Sequence, residues 1–191
     1  MAQPALPDIS TLHTLPTANF AAILDTLFEP SAILRVIALP LARQEWASYD
    51  ALIDGVGELL LEMARDGGMV DTERVGWILA SHPRLGAKKV DSALSRAEQA
   101  AMERASGSEE EERKAEAEEL ARLNAEYEKA FPGLRYVTWV NGRSRPVIFE
   151  DMRRRIERGD PEAERVEGVT AMCDIAKDRV RKIRLLTAQL V

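Results

Sequence analysis

One imidazole with proton-handling and amide-binding groups nearby is the strongest chemical signal in this chain. It is His82-Pro83-Arg84-Leu85-Gly86, followed thirteen residues after the histidine by Ser95-Arg96-Ala97-Glu98-Gln99. An imidazole's ordinary pKa of about 6.5 lets it give or take a proton near neutrality. A carboxylate can orient it, while a hydroxyl and an amide can hold a ligand rich in donors and acceptors. The other histidine, His13, lies in a proline-rich entry segment. Cys173 sits among apolar positions with no adjacent base to activate it, and reads as core. Metal binding is not expected, because the chain has no His-x-x-x-His or Cys-x-x-Cys spacing. Each chemical residue also has a structural reading. Ser95-x-x-Glu98 has the form of a helix capping box, and a histidine before proline can simply end a helix. The residue pattern leaves both readings open.

The elements that must position these groups are helical. From Thr17 the spacing Phe20, Ile23, Leu24, Leu27, Phe28 predicts a helix ended by Glu29-Pro30, and Ala32 to Leu39 a second one stopped by Pro40. Tyr49 to Met63 predicts a third, closed by Asp66-Gly67-Gly68. Asp71 opens the next, which ends at His82 because Pro83 disfavours helical geometry before it. Ser95 is expected to begin a helix reaching about Ala105. Glu109 to Phe131 is a long charged one, with Glu109–Arg113 and Glu110–Lys114 as supporting pairs and its glutamate run as a solvated face. Tyr136-Val137-Thr138-Trp139-Val140 is strand-like in composition and is followed by the turn Asn141-Gly142-Arg143-Ser144. Pro146 starts a helix ending near Gly159, and a last one spans about Pro161 to Leu190. The expected fold class is therefore all-α, a single domain of about eight helices over residues 17–191 with one short extended segment near 136–140. Residues 1–16, with Pro4, Pro7 and Pro16, read as an irregular arm.

Composition bounds the function. Hydrophobic residues are 46% and charged residues 30%, which is globular. A net charge of −6 argues against nucleic-acid or anionic-membrane partners. One cysteine excludes an intrachain disulfide framework and fits a reducing compartment. No apolar run reaches the roughly 18 residues of a membrane span, and the start Met1-Ala2-Gln3-Pro4 lacks the pattern of a secretory signal. The expectation is a soluble intracellular protein, cytoplasmic or peroxisomal, although the C-terminus is not of the Ser-Lys-Leu type.

Taken in order, the motifs resemble the 2-oxo-4-hydroxy-4-carboxy-5-ureidoimidazoline (OHCU) decarboxylase family, and most of all its fungal-type branch. The family's histidine motif, His-Pro-Asp-Leu, corresponds to His82 to Leu85, and its Ser-x-x-Glu-Gln motif to Ser95 to Gln99. Leu123-Asn124, Tyr127 and Phe131 match a Leu-Asn-x-x-Tyr-x-x-x-Phe stretch, and Phe28-Glu29-Pro30-Ser31 a Phe-Glu-x-Ser pattern. Two positions depart. Arg84 stands where the family has aspartate, and Asn141-Gly142-Arg143 differs from many members.

The resemblance implies a cofactor-free and metal-free loss of CO2 from the ureidoimidazoline to give S-allantoin in uric acid degradation, by a homodimer. It implies His82 as proton donor and Glu98 as its catalytic partner, the latter favouring the imidazolium or binding ureido N–H groups. It implies substrate contacts from Pro83, Ser95, Arg96, Ala97, Gln99 and the segment Tyr136, Val137, Thr138, Trp139, Val140. Two readings compete: a non-catalytic helical module binding through its acidic 109–119 stretch, and a decarboxylase for a related ureido or hydantoin-like acid, which Arg84 alone supports.

Overall fold

The computed structural model describes residues 6–65, 67–87, 92–104 and 110–188. Among them are eight α-helices: α1 (Thr17–Phe28), α2 (Ala32–Ile37), α3 (Tyr49–Arg65), α4 (Met69–Ala80), α5 (Ala93–Arg104), α6 (Glu110–Ala130), α7 (Arg145–Arg158) and α8 (Pro161–Ala188). The all-α expectation holds.

Apolar spacing builds two cores. The stripes of α1, α3, α4 and α8 meet in the larger one, where Leu27, Phe28, Leu52, Ile53, Val56 and Met172 are sealed from solvent. α8 runs along α3 and also packs on α1 and α4. Each fully buried side chain of this size contributes roughly 1.5–3 kcal/mol, so these stripes dominate the fold's stability. The smaller core joins α6 and α7 through Leu120, Leu123, Tyr127, Ile148 and Met152, with Phe131, Tyr136 and Met102 of α5 completing it. Glu116 and Glu119 of α6 reach Arg145 and Arg153 of α7. Part of the glutamate run therefore ties two helices together rather than facing water.

Several boundaries differ from expectation for local reasons. The second helix ends at Ile37, and a 3-10 helix (Leu39–Arg43) carries Pro40 in its first turn, where the missing N–H costs nothing. α4 begins at Met69, two residues before Asp71. Residues 136–140 lie outside any helix but form no strand pairing among the described residues; their β-branched and aromatic side chains are used for burial instead. In the entry segment, Ile9–Thr14 form a 3-10 helix capped by Asp8, and Leu12 is buried in the larger core. Lys114 pairs with Glu118 at 4.0 Å. The caps and pairs expected at Asp66 and Glu109 fall outside the described residues.

Candidate active site

The histidine loop is fixed from three sides. α4 stops at Ala80, and Arg135 Nη1 donates to the carbonyls of Ala80 and His82, both at 2.6 Å, closing that helix end. Gln99 Nε2 of α5 donates to Arg84 O at 3.3 Å, and Asn124 Nδ2 of α6 to Leu85 O at 3.0 Å. Gly86 turns the loop with φ 78, and a Cβ there would meet Leu120 Cδ2 at 2.7 Å. Both the left-handed backbone and the close approach require glycine.

His82 is 4% exposed and lines a cavity of about 310 Å³ between the two cores. Its Nε2 is buried and has no hydrogen-bond partner among the described residues. Burial first, and then the Arg179 and Arg135 cations, lower the imidazole's pKa to about 3. That corrects the expectation that Glu98 favours the imidazolium: burial and the two arginines favour the neutral ring.

The first of those cations lies behind Glu98. Arg179, fully buried on α8, donates from Nε to Glu98 Oε1 at 3.0 Å and from Nη2 to Glu98 Oε2 at 3.0 Å. Nη2 also donates to Glu29 Oε1 (2.6 Å) and Ser95 Oγ (2.8 Å), while Nη1 donates to the Thr26 and Leu27 carbonyls. Ser95 Oγ in turn donates to Glu29 Oε1 at 2.5 Å. Glu98's charge is thus matched by an arginine and its plane is fixed by a bidentate pair. Glu29 adopts φ 68, ψ 153, a region that nonglycine residues enter only at a cost of about 1–3 kcal/mol. The buried ion pair with Arg179 is what holds it there.

Ser95 is therefore no N-cap. α5 starts two residues earlier, and the Ser92 hydroxyl accepts from Ser95 N–H at 3.3 Å. This puts Ser95 inside the first turn and turns Ser95, Glu98 and Gln99 toward the cavity, together with Ala101 and Met102. Arg96 and Ala97 are exposed and are not among the lining residues, a correction that follows from helical spacing: one face of α5 cannot present five consecutive residues.

Pro83 and all of Tyr136, Val137, Thr138, Trp139 and Val140 line the cavity, joined by Asn141 and Gly142. Arg143 holds this wall from behind. Its Nη2 donates to Thr138 Oγ1 at 2.6 Å and to Trp139 O, and its Nε to Val140 O at 3.3 Å. The remaining wall comes from α8, as Ile175, Asp178 and Lys182, none of them anticipated. Arg84 lies outside: its guanidinium forks onto the Glu128 carboxylate of α6, with Nε to Oε1 at 2.8 Å. Cys173 is half-buried, and burial pushes its thiol up to about 12, consistent with an inert packing residue. Among the described residues no three of His, Cys, Asp and Glu gather as metal ligands, and no helix is long and apolar enough to cross a membrane.

Fold and site together define an all-α protein whose one buried, neutral imidazole faces a small cavity walled by a clamped carboxylate, an amide and backbone groups. A family model described as OHCU decarboxylase matches residues 13–181, and the chain belongs to that family. No curated protein matches it.

Proposed function

We propose that this protein decarboxylates the ureidoimidazoline OHCU to S-allantoin in uric acid degradation, without cofactor, with His82 as the proton-handling group. The observation that carries this is the Nε2 of buried His82, without a partner among the described residues, in a cavity shared with the fixed carboxylate of Glu98. In the reaction the bond from ring carbon to carboxylate breaks, its electron pair moves into the neighbouring C=N, and CO2 leaves. The nitrogen takes a proton from solvent. The substrate's own conjugation is the electron sink.

What remains for the protein is positioning and one-sided proton transfer. A neutral imidazole suits a relay. Nε2 accepts the proton of the hydroxyl that becomes the carbonyl and returns a proton to the adjacent ring carbon from the same side. Glu98, anchored by Arg179, accepts from ureido N–H groups, while Gln99 and the backbone of 136–140 meet the remaining donors and acceptors. Arg84, the one feature that favoured a related acid, contacts Glu128 rather than the cavity, which leaves that alternative without support.

The test is to generate the unstable substrate enzymatically from urate and follow its decay by absorbance and circular dichroism with purified protein present. The expected result is decay well above the spontaneous rate and a single enantiomer. Decay at the spontaneous rate to a racemate contradicts the proposal.

A further inference from the structure

The α8 face on the cavity carries Ile175, Asp178 and Lys182, spaced three and four residues apart so that they form one stripe. Lys182 is the one fixed cation among the described lining residues. The nearby arginines are committed: the Arg179 guanidinium contacts two carboxylates, a hydroxyl and two carbonyls, Arg135 Nη1 is held by the Ala80 and His82 carbonyls, and Arg143 by residues 138–140. Lys182 Nζ instead lies 2.6 Å from Asp178 Oδ2, four residues back on the same helix, with the lysine side chain 48% exposed and the aspartate 20%. A half-exposed i,i+4 pair of this kind is worth only a few tenths of a kcal/mol, so the ammonium can move to another anion at little cost.

We propose that Lys182 is the residue that recognises the substrate's carboxylate, exchanging Asp178 for it as the ligand enters; this rests on the decarboxylase reading given above. The charge balance supports it. The Arg179 guanidinium is already shared between two carboxylates, Glu29 and Glu98. Among the described lining residues a carboxylate entering the cavity finds no other lysine or arginine. Asp178, itself a lining residue, holds the Lys182 ammonium at 2.6 Å. Once CO2 has left, the neutral product no longer engages Lys182, and the Lys182–Asp178 pair re-forms. Lys182 thus discriminates the carboxylated substrate from its decarboxylated product.

The experiment measures KM for enzymatically generated OHCU and, separately, Kd for S-allantoin by calorimetry, in wild type, Lys182→Met, Lys182→Arg and Asp178→Asn. Circular dichroism confirms that each variant folds. Loss of one exposed charge-assisted contact predicts about a tenfold rise in KM for Lys182→Met, with allantoin affinity unchanged. Lys182→Arg restores KM to near wild type, and Asp178→Asn, which frees the ammonium, lowers it. The wild-type KM rises with added salt, while that of Lys182→Met does not, because the contact is screened over about 8 Å at physiological ionic strength. An equal weakening of substrate and allantoin overturns the proposal by making Lys182 a wall of the cavity only, and so does an unchanged KM. A wild-type protein with no turnover overturns the decarboxylase reading itself, and this proposal with it.

Discussion

Two buried arginines, Arg179 on α8 and Arg155 on α7, solve the same electrostatic problem in opposite ways. Each occupies a core position of its helix stripe: Arg179 between Ala176 and Ile183, Arg155 after Ile148 and Met152. Each is matched by a buried carboxylate, Glu29 for Arg179 and Glu164 for Arg155. Around Arg155 the match to Glu164 is buried, and its further partners Asp151 and Glu167 lie outside the His82 cavity. Glu164 accepts from Tyr127 Oη at 2.7 Å and from Arg155 Nε at 2.9 Å, and the guanidinium lies over the Tyr136 ring 4.7 Å from its centroid. Arg179 instead shares its charge with Glu98, whose side chain is 24% exposed and faces the cavity. A buried ion pair adds little net stability over well-packed apolar side chains. What it adds here is fixed geometry, which serves helix packing in one centre and shapes a wall of the His82 cavity in the other.

Arg179→Met breaks this comparison most severely. It strands Glu29 and Glu98, so the expected loss is about 3–5 kcal/mol in urea unfolding. At low temperature, where the variant is folded, kcat/KM for OHCU falls about 100-fold or more, because Glu98 loses its orientation. Arg155→Met removes a comparable pair and costs a similar ~3–5 kcal/mol, yet the folded variant's kcat/KM changes by less than about tenfold, a barrier change under ~1.4 kcal/mol. Equal activity losses in the two variants would remove the distinction between a packing centre and a site centre.

A smaller effect separates burial from charge at His82. The folded ring's pKa is lowered from 6.5 to about 3, so the unfolded chain binds a proton that the folded one does not between those values. Stability from this group is complete above about pH 6.5 and is lost as pH falls. The loss between pH 7 and 5 is about 2 kcal/mol, at ~1.4 kcal/mol per pH unit. His82→Gln flattens that part of the stability profile; an unchanged slope contradicts a buried neutral imidazole. The smallest expected effect is that of Arg84→Ala, which removes a half-exposed pair with Glu128 and costs at most about 1 kcal/mol with KM unchanged.

Much of this was legible in the residues. Helical spacing located the helices, Pro83 ended α4 close to His82, and the motif order brought His82, Glu98, Gln99 and the 136–140 wall to one cavity. Arg179 was not legible, because its partners Glu29 and Glu98 lie 150 and 81 residues away and its neighbours Lys177 to Arg184 resemble a solvated charge run. A signal existed: Met172, Ala176 and Ile183 form a buried stripe whose missing position is Arg179. The neutral state of His82 was hidden in part for the same reason, since burial lowers its pKa first and a cation from the far end of the chain lowers it further. Arg96 and Ala97 were misplaced because a five-residue motif was read as one contact, whereas a helix shows only part of it to any cavity.

The most direct test of the central claim is the handedness of the allantoin formed from OHCU by wild type and by His82→Gln, read by circular dichroism together with the rate of substrate decay. If His82 delivers the proton from one side of the ring, the wild type gives the S enantiomer rapidly, and the folded variant gives racemic product at close to the spontaneous rate. A folded His82→Gln protein that retains both the rate and the S product would contradict the account.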